Sequence, residues 1–192
     1  MKFIYPLRSL KWLTILILVL GLMVLVVQFW PQKGEVTVNA AEVIPPKKGV
    51  FSSNLALDFT LEDSTGQKVS LSDFIGKPVV LNFFATWCGP CQAEMPHMQK
   101  KWQEYNTKGS DLVYLLVNVG ESKAVVEKFF KDKAYTMPVV FDPSSKVFSQ
   151  YLLRGIPATL FINREGVIKA RYNQYISAEI LQENITIITG ES

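Results

Sequence analysis

Cys88 and Cys91 are the only two cysteines of the chain, and they stand in Trp87-Cys88-Gly89-Pro90-Cys91. Two thiols at that spacing at a helix start can close into a disulfide and reopen. Thiol exchange needs one thiolate that attacks and a second thiol that resolves the mixed disulfide. The spacing predicts Cys88 at or just before a helix N-terminus, where the dipole and free N–H groups favour the anion. Cys91 then falls one turn later on the same face, within disulfide reach. Cys91 is expected to be the more buried of the two. Cys88 is therefore the predicted nucleophile and Cys91 the resolver of a redox-active disulfide. Pro90 fits the first turn, where a missing N–H costs nothing. Gly89 leaves room for a partner's backbone. The rival reading, a structural staple, gains little from so short a loop.

The remaining chemistry is sparse. The single histidine, His97, and two cysteines fall short of the four ligands of a structural zinc site, so no metal is expected. No cofactor is implied. Twenty basic against 17 acidic residues give a net charge of +3. No basic stretch is interleaved with aromatics, so nucleic acid is not an expected partner.

Strands and helices must alternate to hold the thiols. Apolar runs and alternations predict strands at residues 56–61, 67–71, 79–85, 112–119, 139–141, 158–162 and 167–172. Residues 63–66 and 163–166 read as turns. A helical turn is expected at 72–74 and another at 147–152. Longer helices are expected at 90–107, 122–131 and 177–188, with Ser122 and Ser177 as N-caps. In the first, Met95, Met98, Trp102 and Tyr105 recur at helical spacing, and Pro96 should kink it. This order implies an α/β fold: a mixed central sheet covered by helices on both faces.

The chain also has a polar–apolar division. Residues 12–30 run from Trp12 to Trp30 without a charge, and nineteen helical residues span about 28 Å, close to a bilayer core. Lys2, Arg8 and Lys11 precede them. The expectation is a cytoplasmic N-terminus at 1–11, a single membrane anchor at 12–30 and a linker at 31–50. An exported domain at 51–192 follows. A cleaved signal peptide is the alternative, but the apolar core is longer than such segments use.

Trp87-Cys88-Gly89-Pro90-Cys91 resembles the thioredoxin active site. Arg154-Gly155-Ile156-Pro157, followed by a strand, resembles the second hallmark of that superfamily. The resemblance implies that Pro157 is cis and faces the cysteines. It implies that Ile156 offers backbone to a bound client, with Trp87, Gly89 and Pro90 forming the rest of the contact. The run from Phe59 through Gly76-Lys77-Pro78 to Asn82-Phe83-Phe84-Ala85 is similar to the membrane-tethered ResA/TlpA group. That group carries an extra N-terminal hairpin and an inserted helical segment, here 122–140. In it Glu94 matches an acid beside the active pair, three residues after Cys91, which would carry protons during exchange.

Two positions depart from these patterns. Asn82 stands where cytosolic thioredoxins have a buried aspartate, and Gly89 stands where the ResA type often has glutamate. The implied activity is thiol-disulfide oxidoreduction outside the cytoplasm, reducing disulfides in exported proteins such as apocytochrome c. The implied electron donor is a transmembrane thiol carrier of the CcdA or DsbD kind. Two other readings compete with this one. A peroxiredoxin-like peroxidase would place threonine where Ala85 stands. A copper chaperone of thioredoxin fold would use a wider cysteine spacing and a distant histidine.

Overall fold

The computed structural model describes residues 47–190, together with residues 15, 17–22 and 28. The chain divides into two compact units, Met1–Ile44 and Pro45–Ser192. In the first, the described residues are helical and exposed. Among the described residues no helix is long and apolar enough to cross a membrane. Most of the expected anchor at 12–30 and most of the expected linker lie outside the described residues.

The second unit is built on seven strands and four helices. The strands are β1 (Thr60–Asp63), β2 (Lys68–Ser70), β3 (Val79–Phe84), β4 (Val113–Val119), β5 (Val139–Asp142), β6 (Ala158–Ile162) and β7 (Ile168–Tyr172). The helices are α1 (Gly89–Thr107), α2 (Lys123–Lys133), α3 (Lys146–Gln150) and α4 (Ala178–Thr189), and a 3-10 turn covers Leu71–Phe74. The sheet order is β2-β1-β5-β4-β3-β6-β7. β3, β4 and β5 are parallel, while β6, β7, β1 and β2 run antiparallel to their neighbours.

β3 and β4 occupy the centre because their residues are apolar almost throughout, as a strand covered on both faces requires. The β1–β2 hairpin adds to the β5 edge, as the ResA/TlpA resemblance implies. Its turn is closed by Asp63, whose Oδ1 accepts the N–H groups of Thr65 at 2.8 Å and Gln67 at 2.9 Å. Gly66 supplies the positive φ of 83°. α2 is the inserted helix, crossing between parallel β4 and β5. Ser122 holds its N-cap position without a side-chain bond, whereas the Ser177 hydroxyl accepts the Ile180 N–H and caps α4.

One expectation shifts. The first strand, expected at 56–61, starts only at Thr60. Asp58 Oδ1 accepts the Ser72 N–H at 2.9 Å, so the chain here is tied by a side chain instead of a ladder. α1 continues past Pro96 as one helix to Thr107.

The sheet alternation sorts the core. Val79, Leu81 and Phe83 of β3 face one cluster with Leu115, Val117, Leu160 and Tyr151. Val80 and Phe84 face the other, with Tyr114, Leu116 and Phe161, under α1 and α4. Val50 is buried in the first cluster and Gly49 N–H bonds to the Leu55 carbonyl, so packing reaches back into residues 47–50.

Candidate active site

β3 ends at Phe84, and Ala85-Thr86-Trp87 carries the chain to Cys88 at the N-cap of α1. Cys88 has extended backbone angles, φ −78° and ψ 108°, as an N-cap residue does. Its Sγ accepts the N–H of Cys91 at 3.2 Å. A cap oxygen is thus replaced by sulfur, and a free helix N–H points at the atom that must carry negative charge. Cys88 and Cys91 are joined in a disulfide with Cα atoms 5.2 Å apart. Cys91 is fully buried and Cys88 is 4% exposed, which matches the expected order.

Trp87 stands out from this buried pair at 72% exposure. Gly89 and Pro90 are exposed beside it. A Cβ built on Gly89 would meet nothing within 4 Å, so packing does not demand glycine there.

β6 lies antiparallel to β3, with Ala158 opposite Phe83. The residues before Ala158 therefore meet the end of β3 where Cys88 sits. The Ile156–Pro157 bond is cis, as the resemblance implied. The Ile156 carbonyl oxygen lies 3.7 Å from Cys88 Sγ. In the disulfide this is a contact, and the reduced thiol has a proton to donate there.

Glu94 is buried one turn beyond Cys91 on α1. Asn82 Nδ2 donates to its Oε1 at 2.8 Å, and the Ile176 N–H donates to its Oε2 at 3.2 Å. Asn82 is the register partner of Thr159, and its Nδ2 also donates to Thr159 Oγ1 at 2.9 Å. Burial pushes the Glu94 carboxyl up to about 7, against the two hydrogen bonds, which pull it down. A carboxyl that titrates near neutrality beside a dithiol can accept or return a proton at working pH.

The structure thus brings together Trp87, Cys88, Gly89, Pro90, Cys91, Ile156, Pro157 and Glu94. Sequence reasoning missed the groups that fasten them. Glu121, after β4, accepts the Thr86 N–H at 2.7 Å and the Asn118 Nδ2–H at 2.7 Å on Oε2, and the Thr86 hydroxyl at 2.5 Å on Oε1. Gln92 Nε2 donates to the Thr86 carbonyl at 2.6 Å. The loop entering Cys88 is held at donor and acceptor alike. No sequence spacing signals these pairs, because Thr86 and Glu121 are 35 positions apart.

A thioredoxin-like α/β fold with a dithiol at a helix N-terminus, opposed by a cis-proline, defines a thiol-disulfide oxidoreductase. The chain belongs to the AhpC/TSA family, whose sequence profile matches residues 53–171. It is 39% identical over 126 residues to the thiol-disulfide oxidoreductase ResA of Bacillus subtilis (strain 168), covering 66% of this chain and 69% of that relative. The fold superposes on the crystal structure of StoA from Bacillus subtilis with a TM-score of 0.59 and 26% identity, covering 67% of this chain and 96% of StoA. It superposes on the exposed lipoprotein thioredoxin of Streptococcus pneumoniae strain TIGR4 with a TM-score of 0.60 and 30% identity, covering 68% and 99%.

Proposed function

We propose that this enzyme reduces disulfides of exported proteins at the outer face of a membrane, with Cys88 as nucleophile, Cys91 as resolver and Glu94 as proton carrier. The observation that carries the reading is the position of Cys88 Sγ. It takes a helix N–H from Cys91 and lies against the Ile156 carbonyl before cis-Pro157. The client chain lies along the Ile156 backbone, between Pro157 and the exposed Trp87.

The Cys88 thiolate attacks one sulfur of the client disulfide. That S–S bond breaks, a mixed disulfide forms, and the departing client thiolate takes a proton. Cys91 gives its proton to Glu94 and attacks Cys88 Sγ. The second client sulfur leaves as a thiolate and takes the proton from Glu94, and the Cys88–Cys91 disulfide closes. Two electrons have passed to the client. A transmembrane thiol carrier of the CcdA or DsbD kind returns them through its own dithiol.

Residues 12–30 anchor the domain to the membrane within reach of that donor, with residues 1–11 in the cytoplasm. The similarity to ResA, a thiol-disulfide oxidoreductase, supports thiol-disulfide exchange, and apocytochrome c is the proposed client. Gly89-Pro90 between the cysteines supports a reducing potential.

Two measurements test this. With Cys91→Ala in the full-length chain, the Cys88–client disulfide should persist and mass spectrometry should identify an exported cysteine protein. The Cys88–Cys91 potential should lie near that of reducing thioredoxins, about −270 mV. A value near the about −120 mV of strong oxidants would overturn the reductive reading.

A further inference from the structure

Thr159 stands on β6 two residues after cis-Pro157, fully buried, and is the register partner of Asn82 on β3. Its strand neighbours Ala158 and Leu160 belong to the apolar cluster on the opposite face of the sheet. Asn82 Nδ2 donates to Thr159 Oγ1 at 2.9 Å and to Glu94 Oε1 at 2.8 Å. Both amide hydrogens are thus spent. Asn82 Oδ1 is buried with no partner among the described residues, so among them the amide is held by its nitrogen alone.

We propose that Thr159 is a positioning residue for proton transfer: by taking one Asn82 amide hydrogen it aims the other at the Glu94 carboxylate. This deepens the proposed function and rests on its reading of Glu94 as the proton carrier.

The physical need is specific. An asparagine amide turns over a broad range about its last torsion. One hydrogen bond leaves that rotation open, whereas two acceptors in different places fix the amide plane. Without the Thr159 hydroxyl, the amide is free to slacken its bond to Glu94. It is also free to turn its oxygen toward a protonated Glu94 carboxyl, which has a hydrogen to give. Both changes favour the acid over the carboxylate. A valine of the same shape would fill this buried strand position with no hydroxyl to satisfy. The bond to Asn82 is what gives the hydroxyl a use there.

The groups bonded to Glu94 are uncharged. Burial raises its carboxyl, and the Asn82 N–H and then the Ile176 N–H lower it. Titratable side chains on the elements packed around it include Cys88, Cys91 and His97 along α1, Tyr172 on β7 and Glu179 in the first turn of α4. β3 and β6 bring none. The variants below leave all of these in place, so the Asn82 contact is what changes.

The test follows the Glu94 carboxyl directly, by carbon-13 NMR of the reduced full-length chain labelled at glutamate, with Glu94→Gln assigning the resonance. Thr159→Val keeps the shape and removes the acceptor. Its Glu94 midpoint should move up by about 0.5–1 pH unit, the scale of weakening one N–H bond to a carboxylate. Thr159→Ser restores a hydroxyl and should return the midpoint to that of the parent chain. In an Asn82→Leu background, Thr159→Val should leave the midpoint where Asn82→Leu alone puts it, because the link runs through the amide. An unchanged midpoint in Thr159→Val overturns the proposal. So does a rise of equal size in Thr159→Ser, which would make the shape of the side chain the cause. A rise of equal size in the Asn82→Leu background overturns it too, since Thr159 would then act without the amide. Thiol-exchange rates across the same pH range separate the underlying reading. If the carboxyl midpoint moves and the rate profile does not, Glu94 is not the proton carrier, while the link from Thr159 to Glu94 stands.

Discussion

The two faces of the central sheet are built from the same strands and carry different loads. On one, Leu81, Phe83, Leu115, Val117 and Leu160 form an apolar cluster with the Tyr151 ring, and the buried Asp142 there accepts the Lys146 and Phe148 N–H groups at the start of α3. On the other, Asn82, Asn118 and Thr159 are buried at the same strand alternation as Val80, Leu116 and Phe161, with Glu94 coming down from α1. Buried polar groups cost stability unless they are bonded, and even then return little net gain. A fold seeking stability alone would fill both faces alike. Asn82, Thr159 and Glu94 form one hydrogen-bonded group on the face that holds the cysteines, so that face gives up stability for a polar site.

The comparison breaks most sharply at the sulfur. Cys88→Ser should reduce thiol exchange to background while the urea midpoint matches that of the reduced parent chain. Leu160→Ala should do the opposite on the apolar face. Removing a fully buried leucine should cost about 2–5 kcal/mol in urea denaturation, with exchange per folded molecule unchanged. A large loss of exchange in Leu160→Ala would mean that the two faces are not separable.

Glu94 joins the two loads in one residue. Its carboxyl is raised from 4.5 to about 7 by burial, so the folded protein holds the proton more tightly than the unfolded chain. Stability from this group is therefore complete below pH 4.5 and falls as pH rises through about 7. The fall should amount to about 3 kcal/mol at most. Glu94→Gln should flatten that part of the stability curve and remove the matching inflection from the exchange rate. Denaturation midpoints at half-unit pH steps check the first, and stopped-flow rates the second. A stability slope that survives in Glu94→Gln would assign the titration elsewhere.

Much of this was readable in the sequence because it is local. The apolar runs of β3, β4 and β6 mark central strands directly. Cys88, Pro90, Cys91 and Glu94 sit at helical spacing, and Arg154-Gly155-Ile156-Pro157 is a contiguous signal. What escaped is pairing across the fold. Thr159 meets Asn82 only through the β3–β6 register, and Ile176 meets Glu94 across 82 positions. Glu121 reads as one more acid in a loop until it is seen to hold Thr86. The β1 boundary escaped for a related reason: Asp58 bonds to Ser72, 14 residues on, and no alternation pattern registers that.

Tyr114 asks whether every polar group on the second face serves the chemistry. It is buried there, yet its hydroxyl has no partner among the described residues, and burial pushes the phenol far above its ordinary pKa. It lies on β4 opposite Val80 of β3, two positions before Asn82 and away from the cysteine end of the sheet. An unpaired buried hydroxyl costs about 1–3 kcal/mol, and a ring without it fits the same space. Tyr114→Phe should therefore be neutral or up to about 1 kcal/mol more stable in urea denaturation, with the pH profile of exchange unmoved. If exchange changes instead, the proton network reaches further along β4 than Asn82, Glu94 and Thr159, and the functional load of this face extends toward its opposite end.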